Sequence, residues 1–197
     1  IGEATKKQED PRRKKGIVGA FCRTYSISEA IAKYLSEEYV PTADDTRYTY
    51  TKGSTAAGLM LYDDTFAYSH HGTDPCGGKL SNAFDLVRVH LFGHLDEGST
   101  SGATAKSFTA MGELALKDKE VKKVMAQDAR EQVQYDYAED FDEGMPENVE
   151  GDHDDVDWMA ELEADNKGKY LSSSTNINII LANDSRLKGA FAFTDFD

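Results

Sequence analysis

Cysteine is scarce in this chain: Cys22 and Cys76 are the only two among 197 residues, and they lie far apart. A secreted scaffold held by disulfides is denser in cysteine, so the count points to a reducing, cytoplasmic setting. It also excludes a four-cysteine zinc site. Long apolar runs are missing too. None approaches the roughly 20 residues of a membrane-spanning helix, so no membrane partner is expected. The opening IGEATKKQEDPRRKKG is polar and charged throughout and lacks the apolar centre of a signal peptide. A starting methionine is absent as well. We therefore expect a piece of a longer protein, with functions carried by flanking regions. Apolar residues make up only 39% of the chain, which predicts a compact part with solvated extensions.

What the chain does have is charge, unevenly placed. The net charge is -14. From Asp136 to Asp165 there are fourteen Asp and Glu and no Lys or Arg. Outside that run the remaining 22 acidic residues balance the 22 Lys and Arg, so the acidic total does not argue against nucleic-acid binding by the rest. The basic run lies at the other end, at Lys6, Lys7, Arg12, Arg13, Lys14 and Lys15. Such a run attracts phosphates, and its plain alternative is a solvated, flexible arm.

The periodicity sets a coarse α+β plan. Pro11 suits the first turn of a helix over 11–24 with Ile17, Val18, Ala20 and Phe21 on its apolar face. SISE, 26–29, has the spacing of a capping box. Behind it Ile27, Ile31, Tyr34, Leu35 and Tyr39 follow helical spacing until Pro41. These two segments form an N-terminal helical hairpin. RYTYT (47–51), GLMLY (58–62) and TFAYSHH (65–71) read as strands, with Asp63-Asp64 as a tight hairpin turn. Ser81 or Asn82 caps a helix with Phe84, Val87 and Leu91, ending near Gly93. Ser107 caps a helix with Phe108, Met111, Leu114 and Ala115. Asp118 starts another with Val121, Val124 and Met125, running toward Tyr137. Trp158 and Leu162 mark a short helix, Lys167-Gly168-Lys169 a break, and NINIILAN (176–183) a last helix. The organisation expected is a tail over 1–10, a helical hairpin and small α+β domain over 11–135, an acidic linker over 136–155, and a helical segment over 156–197.

YSHHGTDPCGGK, 68–79, concentrates the candidate chemistry. It is not a Walker loop: Gly72 to Gly78 is one residue too long, and Leu80 follows Lys79 where a hydroxyl is needed for magnesium. The loop does precede a helix, whose N-terminus attracts anions. As a metal site it offers His70, His71, Asp74 and Cys76. Adjacent strand residues point to opposite faces, so His70 and His71 cannot both ligate one ion while the strand continues. That leaves one histidine, Asp74 and Cys76, with Cys22 or His90 supplied from elsewhere. The plain alternative packs one histidine in the core and uses Asp74 to organise a turn before Pro75. A Cys76–histidine nucleophile has no oxyanion motif and no orienting third group around it. Tyr48, Tyr50, Phe66 and Tyr68, interleaved with Arg47, Lys52 and Lys79, offer a stacking platform for single-stranded nucleic acid. Half of those aromatics must face the core, because strand faces alternate.

Three further strings carry a resemblance. They are KKGIVGAFCRTYSISEAI, STAAGLMLYDDTFAYSHHGTDPCGGKLSNAFDLVRVHLFG and SFTAMGELALKDKEVKKVM. Together with WMAELEADNKGKYLSSSTNINIILANDSRLKGAFAFTDF they resemble the middle region of phage primase–helicases of the virulence-associated protein E family. The similarity spans nearly the whole chain apart from the acidic run. It implies a connector in phage DNA replication between a primase domain and a P-loop helicase domain, whose catalytic motifs this sequence lacks. It implies no enzyme activity and no cofactor for the segment itself. Its expected partners are those flanking domains and single-stranded DNA. Arg12, Arg13, Lys14, Lys15, His70, His71 and Lys79 are the residues expected to contact DNA. In outline, hairpin, glycine turn and FDLV helix also resemble the zinc ribbon of bacterial primases. The metal cysteines other than Cys76 are missing. This implies a metal-free relative, in which hydrogen bonds from His71 and Asp74 and the packing of Phe84 replace the ion. The alternative is a purely structural or protein-interaction module.

Overall fold

Asp10 accepts the Arg12 N–H on its side chain and starts a single 3-10 turn, Pro11–Arg13. The chain then extends through Lys14 and Lys15 before helix α1, Gly16–Thr24. The one helix expected over 11–24 is therefore two pieces, split at the basic pair. The computed structural model describes residues 8–98, 105–140, 158–165, 168–184 and 187, with the backbone alone over 132–140. Most of the expected tail and of the acidic linker, Lys6 and Lys7 included, lies outside the described residues.

Helix α2, Ile27–Tyr34, starts at the expected capping box: Ser26 Oγ accepts the Glu29 N–H and the Glu29 carboxylate accepts the Ser26 N–H. The helix stops sooner than its spacing suggests. Leu35 is its last cap, and Tyr39 belongs to strand β1, Tyr39–Pro41. A single helix would leave Tyr39 over helix neighbours. Pairing with Tyr50 instead carries it into the core, where it is 1% exposed. Pro41 is tolerated because β1 is an edge strand.

The sheet is a five-stranded antiparallel meander in the order β1-β2-β3-β4-β5. Its other strands are β2, Arg47–Tyr50; β3, Leu59–Tyr62; β4, Phe66–Ser69; and the two-residue β5, Leu80–Ser81. Asp63 and Asp64 both sit in the left-handed region, at φ 50° and 49°. That is the backbone a two-residue hairpin requires. β5 has no alternation of its own to announce it; it forms because 70–79 curls back and lays Leu80 and Ser81 against Tyr68 and Ala67.

Four longer helices follow, α3, Ala83–Phe92; α4, Lys106–Leu116; α5, Lys119–Asp140; and α6, Ser174–Asn183, with a 3-10 turn, Gly93–Asp96, after α3. Asn82 caps α3, accepting the Asp85 N–H. Ser107 does not cap α4 as expected. It lies inside the helix, fully buried, and its hydroxyl bonds Asp96 and Arg88. Helix α5 runs into the first residues of the acidic stretch, as far as Asp140.

One core joins α1, α3, α4 and α5 to the sheet. Phe21, Phe84, Leu59, Met111 and Val121 are all fully buried there. The Phe21 and Phe84 rings meet edge-on at 5.9 Å, and Phe84 meets Phe108 at 5.4 Å. Burial of this kind supplies most of the stability, on the order of 2–3 kcal/mol for each large side chain.

A polar latch closes the other side. The Asp118 carboxylate accepts hydrogen bonds from Tyr25 (2.7 Å), Tyr34 (2.5 Å) and Lys33 (2.6 Å), which ties the α1–α2 hairpin to the start of α5. Burial pushes the Asp118 carboxyl up, but the donations from Lys33, Tyr34 and Tyr25 outweigh it and hold the group at about 2. The folded state thus holds this carboxylate ionised below the ordinary range, and its contribution is complete above about pH 4. Between about pH 4 and 2 the unfolded chain takes up the proton first, and on the order of 1–2 kcal/mol is lost. In urea titrations at pH 5 and pH 2.5, Asp118→Asn will narrow the difference between the two unfolding free energies by that amount. An unchanged difference would show that the latch does not govern acid stability.

Candidate functional site

The loop 70–79 leaves the sheet at Ser69 and returns to it at Leu80. Turns link His71 O to the Asp74 N–H, Asp74 O to the Gly77 N–H (2.7 Å) and Cys76 O to the Lys79 N–H. Gly77 bridges back to Ser69, and the Gly78 N–H donates to Ser69 O at 2.9 Å. The loop is thus a hydrogen-bonded coil that seals one edge of the core.

Inside that coil sits Asp74, whose side chain is fully enclosed. Its Oδ1 accepts the Cys76 N–H at 2.8 Å and its Oδ2 accepts the Tyr39 hydroxyl at 2.7 Å. His90, on α3, places Nε2 3.2 Å from Asp74 Oδ1 and 2.7 Å from the Tyr39 hydroxyl oxygen. Tyr39 has one proton and gives it to Asp74, so the Nε2 of His90 is the donor toward both oxygens. Burial raises the Asp74 carboxyl. Donations from His90, Ser69, Tyr39 and the Cys76 amide more than reverse this and hold it at about 2. Tyr39 is pushed far up by burial and by the neighbouring Asp74 charge, so it stays a phenol. The Cys76 thiol is pushed up to about 12 by burial and by Asp74, which excludes a thiolate nucleophile in this state.

Among the described residues, Asp74, Cys76 and His90 bring one oxygen, one sulfur and one nitrogen within 4.8 Å of one another. Of the two residues left open as distant partners for this loop, His90 joins the cluster. Cys22 does not; its thiol points to Asn82 Oδ1 at 3.8 Å. Tyr39, the other member, was not legible as a site residue, because its spacing placed it on a helix.

The two histidines separate, although β4 has ended at Ser69 before either of them. His70 is exposed and packs edge-on against the Tyr68 ring at 4.8 Å. His71 is buried, 4% exposed, with Nδ1 bonded to Thr55 Oγ1 at 2.9 Å and its ring pressed on Gly58. A Cβ at Gly58 would lie 2.2 Å from His71 Nε2. His71 thus anchors the 51–58 loop, with its ring packed inward and little of it presented to solvent.

The sheet register sorts the aromatics into two faces. Tyr50, with Tyr39 opposite, faces the core, and Tyr48 packs against it. Arg47, Met60, Tyr68 and Leu80 lie in one cross-strand row on the other face, with Tyr62 and Phe66 paired beside them. Tyr62 and Tyr68 are half-buried and Phe66 nearly covered; Lys79, exposed, precedes Leu80 just outside β5. Arg47 leans on Asp44 and donates to Ala57 O. Lys52 pairs with Glu38.

In the basic arm, Arg12 is spent on Asp10 through its Nε and Nη2. Arg13, Lys14 and Lys15 have exposed side chains, while the arm's backbone is held by Arg23, which donates to Arg12 O and pairs with Asp128. The described part of the arm is therefore tied down. It borders a cleft of about 190 Å³ with Arg12 and Arg23 on one side and Glu29, Asp63 and Asp64 on the other. That mixture of signs does not make a phosphate site. Among the described residues no helix is long and apolar enough to cross a membrane. In comparisons with known proteins, no family model, no curated protein and no solved structure matches this chain.

Proposed function

We propose that this chain is a non-catalytic connector of a phage DNA replication protein, between a primase and a P-loop helicase, and that it contacts single-stranded DNA. The observation that carries the DNA reading is the outer sheet face. Tyr62, Tyr68 and His70 offer ring surface there, and the exposed Lys79 adjoins Leu80 of that row in the chain. Arg13, Lys14 and Lys15 add exposed charge on a tied backbone. Stacking on aromatic rings and cation contacts to phosphates together suit a single strand without sequence preference. The placement between a primase and a helicase is supported by the resemblance of the quoted strings to the virulence-associated protein E family. Asp74, the buried carboxylate of the 70–79 coil, has both oxygens engaged by Cys76, Tyr39 and His90, which fits a scaffold better than a reaction centre.

Fluorescence anisotropy of a labelled oligothymidylate tests the DNA reading. Binding will weaken steeply with salt, with a slope of about −0.7 for each phosphate contacted. Tyr68→Ala will reduce affinity about tenfold, and Lys79→Ala will flatten the salt slope by nearly one contact. Absence of binding at low salt, or equal binding by both variants, would refute it.

One observation favours the second reading, a protein-interaction module. Leu171, Ile177 and Leu181 are 45%, 52% and 41% exposed on and beside α6. Isolated apolar residues at a surface are ordinary, but three on one short segment suit contact with a neighbouring domain.

A further inference from the structure

We propose that Asp74, Cys76 and His90 form a structural binding site for a single zinc ion, placed where the 70–79 coil meets α3. Three observations carry it.

The first is the donor set. Carboxylate oxygen, thiol sulfur and imidazole nitrogen converge within 4.8 Å of one another, and His90 Nε2 and Asp74 Oδ1 are already 3.2 Å apart. Ligand atoms on a tetrahedral zinc lie about 3.3–3.7 Å from each other, as the usual zinc–ligand bond lengths require. Closing the cluster onto an ion therefore needs Cys76 Sγ to move by about 1–1.5 Å. Nitrogen and sulfur donors select zinc over magnesium or calcium, which take oxygen ligands.

The second is orientation from behind. Asp74 Oδ1 is aimed by the Cys76 N–H and Oδ2 is held by the Tyr39 hydroxyl. Ligating carboxylates in metal sites are held by outer partners of this kind. The Tyr39 oxygen, 2.7 Å from both Asp74 Oδ2 and His90 Nε2, borders the fourth position.

The third is the state of Cys76. The residue is 1% exposed, and its thiol has a long 4.0 Å approach to Leu86 O and a hydrogen bond from the Ser81 side chain. A buried sulfur that already accepts from Ser81 has an electron pair directed into the cluster's surroundings and takes a soft cation readily once its proton is lost. Zinc would take the place of the thiol proton, which leaves to solvent, and of the Nε2 hydrogen of His90, which moves to Nδ1. The site is enclosed by Tyr39, Tyr50 and the coil, so the ion would act as a staple for a loop with little apolar content of its own. The metal-free hydrogen-bonded cluster expected from sequence would then be the apo state of this site.

The test uses the whole chain, purified without chelator. Elemental analysis will find one zinc per chain, retained through gel filtration and removed by a strong chelator with a fall in Tm. Cobalt loaded into the stripped protein will show a sulfur-to-cobalt charge-transfer band in the near ultraviolet. Cys76→Ser will lose that band and Cys22→Ser will keep it. If Cys76→Ser fails to fold, wild type against Cys22→Ser still decides, because Cys76 is then the only sulfur ligand present. A cobalt complex without the band, or a Tm indifferent to both zinc and chelator, would overturn the proposal.

Discussion

Asp74→Ala will cost about 3–5 kcal/mol of folding stability, because several buried donors lose their shared acceptor at once. Alanine leaves the Tyr39 hydroxyl, the Cys76 N–H and His90 Nε2 facing a void, all of them in a region closed to water. Each buried donor left alone costs about 1–3 kcal/mol, and they share one acceptor, so the losses do not simply add. Against a total of about 5–15 kcal/mol this is a large fraction, and Tm will fall by about 10 °C or more. Asp74→Asn will cost less, because the amide oxygen still accepts one of the donors. The measurement is urea unfolding of wild type and both variants in the presence of chelator, which isolates the hydrogen-bonded cluster from any bound ion. A loss below about 1 kcal/mol for Asp74→Ala would mean that water reaches the site and that the coil does not depend on it.

Gly77→Ala will have the second large effect, and its neighbours calibrate it. A Cβ at Gly77 would stand 2.3 Å from His71 O and 2.9 Å from Asp74 O. Both are backbone atoms of the same coil, and the coil cannot open to admit the methyl without losing the Gly77–Asp74 and Gly78–Ser69 hydrogen bonds. The cost will be about 3 kcal/mol, at the upper end for overpacking. Gly78 has open space around it but a φ of 71°, so Gly78→Ala will cost about 1–2 kcal/mol from backbone strain alone. Gly72 has neither a neighbour within 4 Å nor a positive φ, and Gly72→Ala will be neutral. Chemical denaturation of the three variants checks the ranking. A Gly77→Ala protein as stable as Gly72→Ala would show that the coil relaxes freely.

The helix starts were the most legible part of the fold, because capping acts within one turn. Ser26 with Glu29 and Asn82 with Asp85 are local hydrogen bonds, and both begin helices where the spacing places them. The Asp63-Asp64 turn was legible for the same reason. Tyr39 and Leu80-Ser81 were not. Each is in a strand only because a distant segment pairs with it, and neither carries an alternating pattern long enough to declare itself. Ser107 shows the converse: a good capping residue was drawn into the helix by Asp96 and Arg88, partners whose positions no local pattern encodes.

The site divides in the same way. Sequence by itself offered Asp74 as the organiser of a turn before Pro75, because an aspartate accepts from the backbone beside it, and the structure has that carboxylate accepting the Cys76 N–H. Only the tertiary structure decided which histidine was buried and which of Cys22 and His90 would meet Asp74. It also brought Tyr39 into the cluster from a strand that forms only by pairing with Tyr50. The physical reason is reach. Dihedral preference, alternation and capping act over a few residues and are written where they act. A buried carboxylate, by contrast, gathers whichever donors the packing of sheet and helix delivers, here from 35 residues before it and 16 residues after it.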